Sequence, residues 1–183
     1  MINLNIKIKE LIQSTLITVG MDLEVRQECS GINMSYNFIL HYVGFDLKRI
    51  KSAIKEIPDF ISIEDYIRTF SLHEIGHAVD REALLESLDR TIKIHEMKQS
   101  YSIEERYKNP HLLSMLIEEH QMNIAFEETA WENAERLNKK YGLVNWRCFH
   151  FLRTWGLKTY IESYERDFTI FEGLVNGRSE QIA

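Results

Sequence analysis

Apolar positions recur at helical spacing along most of this chain, and only a short early region alternates. The first segment, to about Val19, has the spacing of a helix. Val25–Cys29 reads as a short strand, and Ser30-Gly31-Ile32-Asn33 has turn chemistry. Met34–Val43 alternates around Tyr36, Phe38, Leu40 and Tyr42, the period of a second strand. Together these predict a small antiparallel hairpin. Leu47–Ile57 is helical and stops before Pro58; Ser62 and Asp65 then resemble a capping box with Asp in place of Glu. A long helical stretch runs from Ile63 towards Met97 with a break. A second starts just after Pro110, at His111, and continues to about Lys140, where Tyr141-Gly142 ends it. A last helix covers roughly Asn145–Tyr164, and the tail from Gly173 is expected to fray. The fold class is α+β, predominantly helical, with a small antiparallel sheet and two long helices.

Length and composition narrow the function classes. A chain of 183 residues with no internal repeat or low-complexity linker reads as one domain, 1–183. Within it, residues 1–62 hold the first helix, hairpin and connecting helix, 63–140 the two long helices, and 141–183 the last helix and tail. The 44% apolar and 27% charged content is that of a globular chain. A net charge of -6 argues against direct nucleic-acid binding, which needs clustered cations. Lys48-Arg49-Ile50-Lys51 lies beside acidic residues and reads as a solvated helix face. Cys29 and Cys148 lack Cys-x-x-Cys spacing, so a cysteine zinc site is not expected, and two reduced thiols are. Leu11–Gly20 is interrupted by Gln13, Ser14 and Thr15 and reads as a core element rather than a targeting segment. No stretch approaches the ~20 apolar residues of a membrane span. The expected location is the cytoplasm, with no membrane partner.

The chemistry concentrates in His73-Glu74-Ile75-Gly76-His77. Two histidines four apart on a helix share a face one turn apart. Their neutral nitrogens can hold one zinc ion at ~2.0–2.1 Å. Glu74 stands on the neighbouring face, within reach of a water that the metal activates, and can carry its proton to a leaving group. Ile75, Gly76, Ala78 and Val79 suit a buried helix, and Gly76, costly by ~1 kcal/mol in a helix interior, implies close packing. The alternative is two unrelated surface histidines. His95-Glu96 is a control: Gln99 breaks the pattern, leaving His95 an ordinary helix residue.

A catalytic zinc needs a third protein ligand and an open position. Leu116, His120, Asn123, Glu127, Ala130, Ala134 and Leu137 share one face of the second long helix. A carboxylate on that inward stripe needs a cation or hydrogen-bond partner, which favours Glu127; Glu128, 100° around, is its rival. Asp80 can orient a ligand histidine or face solvent. His120 reads better as a satisfied structural histidine than as a ligand.

Leu72–Val79 resembles the active-site helix of zincin metallopeptidases. Glu127-x-x-Ala130-Trp131-x-x-Ala134-x-x-Leu137 looks like the glutamate helix of the gluzincin branch. It is similar in particular to the compact ImmA/IrrE-type metallopeptidases of bacteria and mobile elements, whose pattern is approximately Glu-x-x-Ala-Asn-x-Phe-Ala-x-x-Leu. Trp131 stands where that family has Asn, and Asn133 where it has Phe. The resemblance implies a minimal zincin-like fold, Glu127 as third ligand, and peptide bound beside an edge strand, here around Phe38–Tyr42.

The expected function is zinc-dependent peptide hydrolysis, with metal ligands His73, His77 and Glu127 and Glu74 as general base and acid. The resemblance implies a selective, regulatory cleavage of a protein substrate such as a repressor. An oxyanion donor can come from Tyr141, His150, Tyr160 or Tyr164; the usual role of such residues is packing, and the sequence does not choose among them. The run Trp146, Phe149, Phe151, Leu152 and Trp155 reads as core packing. The alternative function is a non-catalytic, zinc-stabilised interaction module, whose site would be closed by a fourth ligand such as Asp80 or His120.

Overall fold

In the computed structural model, which describes residues 4–179, several helices start at side chains that satisfy terminal peptide groups. Helix α1 (Leu4–Val19) buries Ile8, Leu11, Ile12 and Leu16, so the early apolar segment is a core helix. Strands β1 (Glu24–Gln27), β2 (Met34–Asn37) and β3 (Tyr42–Phe45) follow. Helix α2 (Leu47–Ala53) is capped by Asp46, whose carboxylate accepts from the Lys48 and Arg49 N–H groups at 2.9 and 3.1 Å. It also accepts from the Gly31 N–H at 3.0 Å, which ties the early turn to this helix start. Helix α3 (Ile63–Val79) opens at Ser62, whose Oγ accepts from the Asp65 N–H at 2.9 Å. The shorter Asp65 carboxylate accepts from the Ser62 hydroxyl at 2.7 Å instead of reaching the Ser62 backbone. Then come α4 (Arg81–Glu86), α5 (Leu88–Ser100), α6 (Ile103–Lys108), α7 (Pro110–Tyr141) and α8 (Trp146–Ser179). Gly142 closes α7 at φ 62°, its N–H donating to the Asn138 carbonyl at 2.8 Å, an αL stop.

The predominantly helical α+β class holds, but the sheet is mixed rather than antiparallel. Its strand order is β1-β3-β2, with β1 parallel and β2 antiparallel to β3. After β1 the Glu28 N–H still bonds to the Phe45 carbonyl at 2.9 Å, and Asp46 holds Gly31. The chain therefore stays beside β3 and lays β2 on its far side. The expected single strand Met34–Val43 is broken at residues 38–41, a turn in which Asn37 Oδ1 accepts from the Leu40 N–H at 2.8 Å and His41 adopts φ 57°. Arg81 secures that turn, donating from Nε to the Phe38 carbonyl at 2.8 Å. Phe38–Tyr42 is therefore no edge strand; β3 is paired on both sides, and β2 has an open edge.

α2 ends at Ala53 rather than Ile57, and the stretch from Ile63 breaks twice, into α3, α4 and α5. Two further helices differ more. α6 is additional, and it carries a full capping box: Ser102 Oγ accepts from the Glu105 N–H while the Glu105 carboxylate accepts from the Ser102 N–H at 2.8 Å. α8 does not fray at Gly173 but runs on to Ser179. Phe168, Phe171 and Leu174 pack against buried Ile94, Met97, Leu112, Leu113, Leu116 and Ile117, and that burial carries the helix past Tyr164.

The chain forms two compact units. One takes in the chain up to Glu82 together with Glu128–Thr154; the second takes in Ala83–Glu127 together with the chain from Trp155 onward. In the first, α1 and β2 pack against α3, and Trp131, Phe149 and Leu152 complete the core. The second is built on the apolar cluster just described. No described helix is long and apolar enough to cross a membrane. Cys29 is exposed and Cys148 buried, and both thiols are free.

Candidate metal centre

Burial along α3 is nearly continuous from Ser71 to Gly76, so the motif lies in the interior as its small and apolar filler requires. His73 and Glu74 are each 5% exposed, and His77 is half-buried. One helical turn sets the two imidazoles together, with ring centroids 4.7 Å apart.

The segment of α7 after Glu127 is seated on α3 by two contacts at one residue. A Cβ on Gly76 would lie 2.8 Å from the Ala130 carbonyl carbon and closer still to its oxygen, so only glycine admits this approach. The Asp80 N–H turns to the His77 carbonyl at 3.1 Å, a tightened last turn that deprives the Gly76 carbonyl of its usual i+4 donor. Asn133 Nδ2 supplies the missing bond at 3.0 Å. Trp131, fully buried, stacks on the His73 ring at 4.2 Å and 24° and meets Phe70 and Phe149 edge-on.

Glu127 precedes this seated segment on the same unbroken helix. Ligand atoms of His73, His77 and Glu127 all lie within 4.8 Å of one another, and no other such cluster occurs among the described residues. Tetrahedral bonds of about 2.0–2.1 Å place zinc ligands about 3.3 Å apart. The cluster is of that order of size, and two imidazoles with one carboxylate are a zinc-type donor set. Glu128, the rival ligand, is exposed and outside the cluster.

The other candidates lie elsewhere. Asp80 is the C-cap of α3 and is not in the cluster. His120 is a satisfied structural histidine: its Nε2 is 2.9 Å from Asp167 Oδ2. Asp167, 2% exposed, also accepts from the Tyr107 hydroxyl at 2.9 Å and from Arg166 Nε at 3.0 Å. Burial pushes the Asp167 carboxyl up, but the bonds from His120, Tyr107 and Arg166 outweigh it and hold it below the ordinary value. Asn123, expected on the inward stripe, is exposed; the middle of α7 from Gln121 to Thr129 buries no residue fully. Of the proposed oxyanion donors, the Tyr141 hydroxyl donates to the Val19 carbonyl at 3.4 Å, His150 stacks on Trp146, and Tyr164 stacks on Phe168. In the C-terminal aromatic run, Phe149 and Leu152 are core, while Trp146 and Phe151 stay partly exposed.

Asn133 and Trp131 are the neighbours of the candidate site that periodicity misses. Their signal is local: they occupy the two positions where the glutamate-helix pattern is not followed. No protein-family model, curated protein or solved structure matches this chain.

Proposed function

We propose that this protein is a zinc-dependent peptidase of the zincin type, with His73, His77 and Glu127 as metal ligands. The observation that carries the proposal is the convergence of those three ligand atoms within 4.8 Å, from a helical His-Glu-x-x-His and a carboxylate 50 residues further on. Zinc, when bound there, supplies Lewis acidity, easing the deprotonation of water near neutral pH and polarising a carbonyl. Glu74, buried on the same helix turn as His73, accepts the water proton at a carboxylate oxygen and returns it to the departing amine nitrogen. His73 and His77 must remain neutral to offer their lone pairs, which makes metal retention fall in acid.

The motif resemblance to ImmA/IrrE-type metallopeptidases supports a protein substrate cleaved selectively, such as a repressor. Free thiols at Cys29 and Cys148 support a cytoplasmic setting. Three protein ligands rather than four among the described residues favour the enzyme over a closed structural site or interaction module.

The test is metal analysis with one variant. Protein purified without chelators should carry about one zinc per chain. Glu74→Gln should keep that zinc and lose hydrolysis of a protein substrate panel. Metal-free protein, or a fully active Glu74→Gln, would sink the proposal.

A further inference from the structure

Trp131 is an unusual neighbour for a ligand histidine. Its indole is wholly buried, yet its Nε1–H finds no hydrogen-bond acceptor among the described residues. Burying an indole normally brings a partner for that N–H, and phenylalanine would fill such an apolar site without the orphan donor. The orphan donor adds nothing here; what the position supplies is an aromatic ring face. That ring lies over the His73 imidazole at 4.2 Å and 24°, and is wedged edge-on by Phe70 at 5.9 Å and Phe149 at 5.8 Å. The two edge-on phenylalanines hold the plane of the indole, and the indole in turn holds the plane of the imidazole.

That plane matters because an imidazole nitrogen binds a metal along a lone pair lying in the ring plane. A ring free to rotate about its side-chain torsions sweeps its lone pair through many directions; a stacked ring does not. Ligand histidines are usually oriented by a hydrogen bond from their second nitrogen. Here an aromatic face restrains the same ring.

We infer that Trp131 is a positioning residue for the metal site: its stacked indole fixes the His73 imidazole plane and thereby raises metal affinity, and its emission reports metal binding. This rests on the proposed zinc site but is separable from it. Trp131 acts through His73 and touches no reacting atom.

The experiment uses the full chain and zinc alone. The chain has three tryptophans, so Trp146→Phe with Trp155→Phe leaves Trp131 as the sole emitter. Zinc titrated into this protein should change Trp131 emission saturably, complete at one equivalent. In parallel, zinc affinity is measured by chelator competition. Trp131→Leu should bind about tenfold or more weakly, in the range seen when a ligand's orienting partner is removed. Trp131→Phe, which keeps a ring and sheds the orphan N–H, should stay within about threefold of the native affinity. If Trp131→Leu does not fold, the sole-tryptophan titration decides. Stoichiometric zinc binding with unchanged Trp131 emission overturns the inference and leaves the metal site standing. Native affinity in folded Trp131→Leu does the same. A native chain that binds no zinc at all overturns both.

Discussion

Asn133 donates from its side-chain amide to the Gly76 carbonyl at 3.0 Å, joining α7 to the middle of the histidine motif. The bond falls where α3 tightens and leaves that carbonyl without a helical donor. Asn133→Ala should cost about 1–3 kcal/mol, the penalty of a buried acceptor left unpaired. Asn133→Asp should be no better, since a carboxylate presents an acceptor to an acceptor. Urea unfolding of the metal-free variants measures both.

Gly76→Ala is the sharper probe of the same contact. The added methyl meets backbone, not a flexible side chain, so the helices must part. A loss at or above the about 1–3 kcal/mol typical of overpacking is expected. Zinc affinity should fall with it, because Glu127 moves with α7. A variant that keeps both native melting temperature and zinc affinity contradicts the close approach.

The ligand assignment predicts a contrast between adjacent carboxylates. Glu127→Ala should lose most zinc affinity, while Glu128→Ala, at an exposed position outside the cluster, should match the native chain. Zinc at about a hundred times its Kd should raise native stability by about 2.7 kcal/mol. His73→Ala and His77→Ala should abolish that rise. Thermal melts with and without added zinc read all four variants.

Acid should unlatch two carboxylates. Hydrogen bonds from the Gly31 and Arg49 N–H groups, ahead of burial in effect, hold Asp46 below its ordinary value. Burial is the largest single effect on Asp167 and pushes it up, but His120, Tyr107 and Arg166 together outweigh it and hold it below its ordinary value. Depressed folded-state values contribute stability that is complete above the unfolded carboxylate range and is lost as pH falls through the folded values. Stability in urea should therefore decline below about pH 4. Asp46→Asn and Asp167→Asn should each flatten that decline. An unchanged slope in both variants would refute the assignment.

Local signals are legible in the sequence, and non-local ones are not. Helix α3 and its Ser62 cap follow from spacing and short-range chemistry, as does the end of α7 at Gly142. So does the pair His73 and His77, neighbours through one helical turn. Parallel pairing of β1 with β3 leaves no mark in alternation, because it depends on Asp46 tethering Gly31 from fifteen residues away. The Tyr36-to-Tyr42 alternation continues across the turn at residues 38–41 and conceals it. α8 outruns its expected end because Phe168, Phe171 and Leu174 have a core to enter. The Ser102-to-Glu105 box was present in the sequence as a start signal for α6. Glu127 was separable from Glu128 by helix phase, but the stack of Trp131 on His73 required knowing which helices meet.

In the proposed zinc site, the spacing of the three ligands would also set an order of assembly. His73 and His77 become neighbours once a single turn of α3 exists, at almost no loop-closure cost, whereas Glu127 joins them only after α7 has docked. A growing or partly unfolded chain therefore presents a two-histidine half-site, weak and reversible, before it presents the full triad. Tight metal retention becomes a property of the finished tertiary structure, so the fraction of chains that hold zinc against a chelator measures how many have completed folding.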